Sequence, residues 1–279
     1  MQVENDQSYD RVLTIATSDS GGGAGVQADL KTISALGCYG MSAFAALTAQ
    51  NTREVRAIHE VPPEFLKDQI DVVVEDIGVD AVKIGMLFNG ELMEAVAESI
   101  ARHNLQNIVL DPVMVSQSGA KLIKDEAVET LREQLFPLSD VITPNLPEAE
   151  RLLEYSVESQ QQVEEAARDL LEMGPKAVLL KGGHFREDQS TDCLVLDKTD
   201  EKTGKDVFWF EAERIQTDNT HGTGCTLSSA IASGLAKGDT LPEAVDKAKV
   251  YITGAIKAGS RYSIGSGGGP LHHFHNFWS

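Results

Sequence analysis

The sequence predicts an α/β protein: a mostly parallel β-sheet covered by helices on both faces, with an antiparallel hairpin at one edge. Three observations carry that expectation. Short apolar runs alternate with longer stretches of helical periodicity along nearly the whole 279-residue chain, and repeated strand–helix–strand units imply crossovers between parallel strands. Glycine is plentiful (24 residues) and aromatics are scarce (6%), which suits tight strand-to-helix turns. From Asp192 to Ile215 the alternation breaks, because two β-type runs flank the charged turn Asp197–Asp206.

In order, Val12–Ala16 reads as a buried strand and Ala24–Leu36 as a helix stopped by Gly37. Ser42–Ala49 and Glu54–Val61 read as the next two strands, and Pro62-Pro63 opens a helix to about Glu75. The strand Asp80–Ile84, the helix Glu91–His103, the strand Asn107–Leu110 and the helix Asp125–Leu135 follow. Val141–Thr143 is a short strand, a helix starts after Pro147, and the helix Gln161–Met173 leads to the strand Ala177–Lys181. After the hairpin come two helices, Thr223–Ala236 and Leu241 to about Tyr262, then the Gly265–Pro270 stretch and a His272–His275 tail. No Pro- or Ser-rich linker, repeat or low-complexity segment intervenes, so residues 1–279 read as a single domain with a polar tail at residues 1–11.

Charge excludes whole classes of partner. Lys and Arg number 24 against 43 Asp and Glu, a net charge of −19, and basic residues come only in small clusters such as Arg53 with Arg56. Nucleic acid and anionic membrane surfaces are therefore not expected partners. No apolar run approaches the ~18–20 residues of a membrane span. Met1–Asp10 has neither the basic nor the apolar region of a secretory signal. The cysteines Cys38, Cys193 and Cys225 are odd in number without CxxC spacing, which argues against a disulfide framework or zinc site and fits a reducing cytoplasm.

Two glycine-rich turns carry the chemistry. Ser18-Asp-Ser-Gly-Gly-Gly-Ala-Gly25 lies between a strand and a helix, where backbone amides can approach a ligand. Gly23, Gly25 and Ala28 fit GxGxxA spacing, but the acid expected about 20 residues later is absent, so a nicotinamide site is not expected. A Walker P-loop is excluded because no GxxxxGK[ST] occurs. The second turn, Asp218-Asn-Thr-His-Gly-Thr-Gly-Cys-Thr226, precedes a helix rich in small residues. Gly222 and Gly224 free its amides to surround an oxyanion, the helix dipole adds positive potential, and Cys225 sits where a thiol pKa can fall.

The His-Gly-Thr-Gly-Cys motif resembles the anion-hole signature of the ribokinase-like superfamily, with Cys in place of the more usual Asp. Taken with Leu13-Thr-Ile-Ala-Thr-Ser-Asp-Ser-Gly-Gly-Gly-Ala-Gly-Val-Gln-Ala-Asp-Leu-Lys31, Ala46–Thr52, Lys83-Ile-Gly-Met86, Asp111-Pro-Val-Met114, Thr143-Pro-Asn-Leu-Pro-Glu-Ala149 and Lys181-Gly-Gly-His184, the chain closely resembles the hydroxymethylpyrimidine kinase/phosphomethylpyrimidine kinase family of thiamine biosynthesis. The likeness runs in order from about Leu13 to Phe277. It implies a ribokinase-like three-layer αβα sandwich that uses ATP and Mg²⁺ to phosphorylate an aminopyrimidine alcohol and then its monophosphate, commonly as a homodimer. Pyridoxal or pyridoxine kinase on the same scaffold is the enzymatic alternative, and a catalytically silent pyrimidine sensor the non-enzymatic one.

The resemblance also assigns residues. Gly222, Thr223 and Gly224 would cradle the transferred group, with Cys225 as general base or part of the cradle. Asp111 and Glu148 would hold Mg²⁺, Glu148 being also a favourable helix-start carboxylate. Asp111, Thr143, Asn145 and Lys181 would face the nucleotide. Asp29, Gln50, Met86 and Thr17 would serve the pyrimidine, Gln50 by pairing with the ring nitrogen and amino group as Gln pairs with adenine. Met86 reads equally well as core. Thr17 stands where the family usually carries Gly and would narrow or reshape the pocket. His272, His273 and His275 suggest metal by composition, but the family reading makes them a structural tail.

Overall fold

The computed structural model describes residues 8–114, 125–182 and 189–278. The first part of the polar tail, and Gly183 and His184 of the Lys-Gly-Gly-His motif, lie outside them. Ten strands and eight α-helices occur in the described residues: β1 (Arg11–Ala16), α1 (Gly25–Ala35), β2 (Tyr39–Phe44), β3 (Ala46–Gln50), β4 (Val55–Glu60), α2 (Pro63–Asp76), β5 (Ala81–Ile84), α3 (Gly90–His103), β6 (Ile108–Leu110), α4 (Asp125–Thr130), β7 (Val141–Ile142), α5 (Leu146–Leu153), α6 (Gln160–Leu171), β8 (Ala177–Lys181), β9 (Gln189–Leu196), β10 (Val207–Glu213), α7 (Thr223–Ala236) and α8 (Leu241–Gly259).

Eight strands form one sheet in the order β10-β9-β8-β7-β6-β5-β1-β2. Its pairings from β2 to β8 are parallel, and β9 and β10 add the expected antiparallel edge hairpin. Side chains alternate across the sheet with the two-residue period of a strand. Leu13 and Ile15 of β1, Val82 and Ile84 of β5 and Leu110 of β6 pack into the core under α2 to α6. Val12, Ala81 and Val109 face the other core, under α1, α7 and α8. A sheet buried on both faces explains why its strands read as continuous apolar runs.

The run Ser42–Ala49, expected as one strand, divides at Ala45. Residues up to Phe44 pair with β1, whereas Ala46–Gln50 leaves the sheet and pairs antiparallel with β4. A continuous apolar run does not record a change of partner. The β3–β4 hairpin is tied to the first glycine turn: Thr48 Oγ1 donates to Ser18 O (2.8 Å) and Gln50 N to Ser20 Oγ (2.7 Å). The expected helix Asp125–Leu135 is α-helical only to Thr130 and continues as a π turn (Leu131–Leu135) and a 3-10 turn (Phe136–Leu138). No described helix is long and apolar enough to cross a membrane.

Candidate active site

Because β1, β5, β6, β7 and β8 are parallel, their carboxyl ends share one edge of the sheet, where open α/β folds bind ligands. A cavity of about 780 Å³ opens there, walled by strand-end residues, both glycine turns, the β3–β4 hairpin, the end of β10 and one face of α8. Thr17, Gln50, Met86, Asp111, Asn145, Glu148, Lys181, Gly222, Thr223, Gly224 and Cys225 all line it. Asp29 and Thr143 do not.

The second glycine turn forms the start of α7. Gly222 has φ +88°, and a Cβ there would fall 1.9 Å from Gly23 O, so the two glycine turns pack backbone to backbone. A Cβ on Gly224 would stand 3.2 Å from Asp111 Oδ2 and 3.4 Å from Lys181 Nζ. The missing side chains therefore leave bare amides of a 14-residue helix beside a carboxylate–ammonium pair, a place suited to a phosphoryl group. Cys225 departs from expectation. Burial pushes its thiol up to about 11; Lys83 pulls the other way, while the negative Asp29 and Asp111 reinforce burial. The helix dipole does not outweigh desolvation here, and the resting thiol is neutral.

Opposite the turn, Asp111 follows β6 and is buried, its Oδ1 accepting from Lys181 Nζ (3.1 Å) and Thr143 Oγ1 (3.2 Å). Thr143, expected at the nucleotide, is sealed behind Asp111 and orients it. Burial alone would lower the Lys181 ammonium, but Asp111 and Glu148 outweigh it and hold it above its ordinary range. Asn145 and Glu148 form a capping box at the start of α5: Glu148 N donates to Asn145 Oδ1 and Asn145 N to Glu148 Oε2, each at 2.9 Å. Glu148 is thus a helix-start carboxylate and a cavity wall at once. Burial, reinforced by Asp111, raises its carboxyl to about 7 despite Lys181 and the amides of Asn145 and Met114.

At the other end, Thr17 Oγ1 donates to Met86 O (3.0 Å), and Gln50 closes β3. Asp29, expected to touch the pyrimidine, lies beneath this wall. Its carboxylate is fully buried and accepts from Thr14 Oγ1 (2.6 Å), Lys83 Nζ (2.9 Å) and Ser229 Oγ (2.8 Å).

Two pairs on the cavity wall escaped the sequence reading. Asp19 and His221 meet at 2.9 Å, and Lys249 lies 2.6 Å from Asp192 and 3.1 Å from Ser190 Oγ. Asp19 and His221 both stood inside motifs already marked for their glycines, which was the available signal. The three tail histidines go to separate partners: His273 Nε2 to Thr226 Oγ1 (3.0 Å), His275 against Tyr251, and His272 against Tyr262 and Trp278. Burial drives His273 down to about 4, so it is a neutral packing residue.

Comparisons with known proteins give the family and the fold. The family model described as phosphomethylpyrimidine kinase matches residues 19–272. The hydroxymethylpyrimidine/phosphomethylpyrimidine kinase of Escherichia coli is 46% identical over 267 residues, covering 95% of this chain and 98% of that protein. The thiamine biosynthesis bifunctional protein of Geobacter sulfurreducens is 51% identical over 262 residues; the match covers 94% of this chain but 52% of that longer protein. A solved Bacillus subtilis pyridoxal kinase with ADP superposes with a TM-score of 0.85 at 36% identity, covering 95% of this chain and 98% of that one. That fold is ribokinase-like. With a match over residues 19–272, and with the glycine turns and strand-end carboxylates drawn around one cavity, the chain belongs to the phosphomethylpyrimidine kinase family.

Proposed function

We propose that this chain transfers the γ-phosphoryl group of ATP to 4-amino-5-hydroxymethyl-2-methylpyrimidine, and then a second one to the monophosphate, in thiamine biosynthesis. The observation that carries the reading is the Gly222–Cys225 turn set directly beside Asp111 and Lys181 in a cavity that Gln50 also lines. Phosphoryl transfer asks for little covalent help and much positioning, which such a cradle provides. The names of the relatives agree.

Each residue then has a task. The amides of Gly222, Gly224 and Cys225 receive the transferred group, while Thr223 N, expected in the same cradle, already donates to Thr220 O (3.2 Å), and Lys181 meets nucleotide phosphates. With a net charge of −19, attraction for these anions comes from such local groups and not from the surface as a whole. The Gln50 amide matches the amino and ring-nitrogen edge of the pyrimidine, while Met86 and Thr17 shape its pocket. Cys225 assists the first transfer by taking the hydroxymethyl proton in its thiolate form; burial keeps that form scarce. Mg²⁺ suits two oxygen-donor carboxylates beside a phosphate cradle, and Asp111 and Glu148 would hold it, largely through water. When bound it neutralises phosphate charge. We place the reaction in the cytoplasm, in keeping with three free cysteines, and take a homodimer as the working unit.

The likeness to a pyridoxal kinase makes pyridoxal the competing acceptor. Steady-state turnover with ATP, Mg²⁺ and each acceptor in turn decides between them. The pyrimidine alcohol and its monophosphate should both release ADP with a kcat/KM above that for pyridoxal. Equal or better use of pyridoxal overturns the assignment, and pyrimidine binding without ADP release would make the chain a sensor. Cys225→Ala should cost the alcohol reaction at least about 10²-fold; a loss within about threefold removes the base role.

A further inference from the structure

The second transfer differs from the first in one respect: the acceptor now carries a phosphate, so the pyrimidine end of the cavity must accommodate an anion. Among the described residues, four cavity-lining side chains can be cationic: Lys181, Lys249, Arg214 and His221. Lys181 and Lys249 are bound to Asp111 (3.1 Å) and Asp192 (2.6 Å), and Arg214 follows β10; all three belong to the β8–β10 side of the cavity. His221 is placed differently. It stands against the first glycine turn, where a Cβ on Gly23 would fall 2.5 Å from its Cδ2.

Asp19 is buried, yet its carboxylate gathers Gly21 N (2.8 Å), Gly23 N (3.0 Å) and Ala24 N (2.9 Å) as well as His221 Nε2 (2.9 Å). An anionic Asp19 takes the Nε2 proton as its partner. The opposite edge of the ring, with Nδ1, makes no hydrogen bond among the described residues. When it carries a proton, that nitrogen is a donor with no partner among the described residues.

We propose that His221, anchored through Nε2 by Asp19, binds the phosphate of the monophosphorylated acceptor through the Nδ1 edge of its ring and so sets the second phosphorylation apart from the first. The inference rests on the activity proposed above. In this step an oxygen of the acceptor phosphate bonds to the γ-phosphorus of ATP, the bond from that phosphorus to the β,γ-bridging oxygen breaks, and ADP leaves with the electron pair. A dianionic acceptor oxygen carries no proton to remove, so His221 acts in this step as a hydrogen-bond donor to the phosphate and not as a base. The Cys225 thiolate has no proton to take in this step.

The test compares the two acceptors in wild type, His221→Asn and His221→Gln. Any damage the substitutions do to the glycine turn falls on both reactions, so the readout is the ratio of kcat/KM for the monophosphate to that for the alcohol. A charge-assisted hydrogen bond to phosphate predicts that this ratio falls about tenfold or more in both variants. A ratio within about twofold of wild type in both overturns the inference while leaving the kinase reading intact. Wild-type protein inactive on both pyrimidines removes that reading and this inference with it. A measurement without substitution guards against misfolding: the His221 ring-proton resonances of the wild-type protein should shift on adding the monophosphate and stay in place with the alcohol. Equal responses to the two ligands also overturn the proposal.

Discussion

Lys83 Nζ and Asp29 Oδ2 lie 2.9 Å apart, and neither side chain exposes any surface. Burial alone would strip the proton from Lys83, but Asp29, joined by the nearby Asp111, holds the ammonium well above its ordinary range. The pair joins β5 to α1, and through Thr14 and Ser229 it also joins β1 and α7, beneath the anion cradle. Removing one partner leaves a buried charge uncompensated. Lys83→Met and Asp29→Asn should each lower stability by about 3–5 kcal/mol, whereas the double change Asp29→Leu with Lys83→Met should recover much of it. Urea unfolding of the three variants checks this. Single losses under about 1 kcal/mol would show that the pair carries little stability.

The glycines of the second turn should separate folding from function. At Gly222 a methyl group meets Gly23 O at 1.9 Å and the backbone stands at φ +88°, so Gly222→Ala must move the two turns apart. At Gly224 the methyl group meets only side-chain atoms, at 3.2 Å or more. Gly222→Ala should therefore lower both Tm and turnover. Gly224→Ala should keep Tm within a few degrees while turnover falls about 10²-fold, since it fills the cradle. Thermal melting beside ADP release distinguishes them, and equal melting losses would refute the contrast.

Glu148 supplies a pH prediction. Its folded carboxyl is raised to about 7 by burial and by Asp111, from an ordinary value near 4.5. Between those values the folded chain holds a proton the unfolded chain lacks. The stability tied to that proton is therefore present below about pH 4.5 and lost as pH rises toward 7. A cation at this carboxylate must displace the same proton. The Mg²⁺ concentration for half-maximal activity should thus rise as pH falls from 8 to 6, and Glu148→Gln should flatten that dependence. A wild-type requirement that stays constant over this range contradicts the assignment of Glu148.

What the sequence made legible was local, and what it hid depended on distant partners. Val12–Ala16 reads as a strand from its own side chains, and Glu148 reads as a helix-start carboxylate from its place just after Pro147. The division of Ser42–Ala49 at Ala45 depends on which strand each half pairs with, and apolar character is the same for both. Asp29 looks alike from sequence whether it faces water, substrate or Lys83, and only the fold brings β5 to it. Cys225 was misjudged in acidity because a helix N-terminus is visible in sequence, whereas burial beside Asp29 and Asp111 is not. Asp19 and His221 each lay in a marked motif, but their pairing spans 202 positions.

Thr17 offers the sharpest test of how the pocket selects its substrate. Met86 O accepts from both Thr17 N (3.1 Å) and Thr17 Oγ1 (3.0 Å), so the side chain is pinned to the loop that carries Met86 while forming part of the cavity wall. Thr17→Gly removes that bond and opens space beside Met86. One small group in an apolar pocket is worth about tenfold or more in discrimination. The ratio of kcat/KM for pyridoxal to that for the pyrimidine alcohol should accordingly rise about tenfold in Thr17→Gly, chiefly through better use of the larger ring. Thr17→Ser keeps the hydroxyl but not the methyl group. If it behaves like wild type, the bond to Met86 O governs fit; if it behaves like Thr17→Gly, the methyl group does. A ratio unchanged in Thr17→Gly would mean that Thr17 shapes the loop without selecting the substrate.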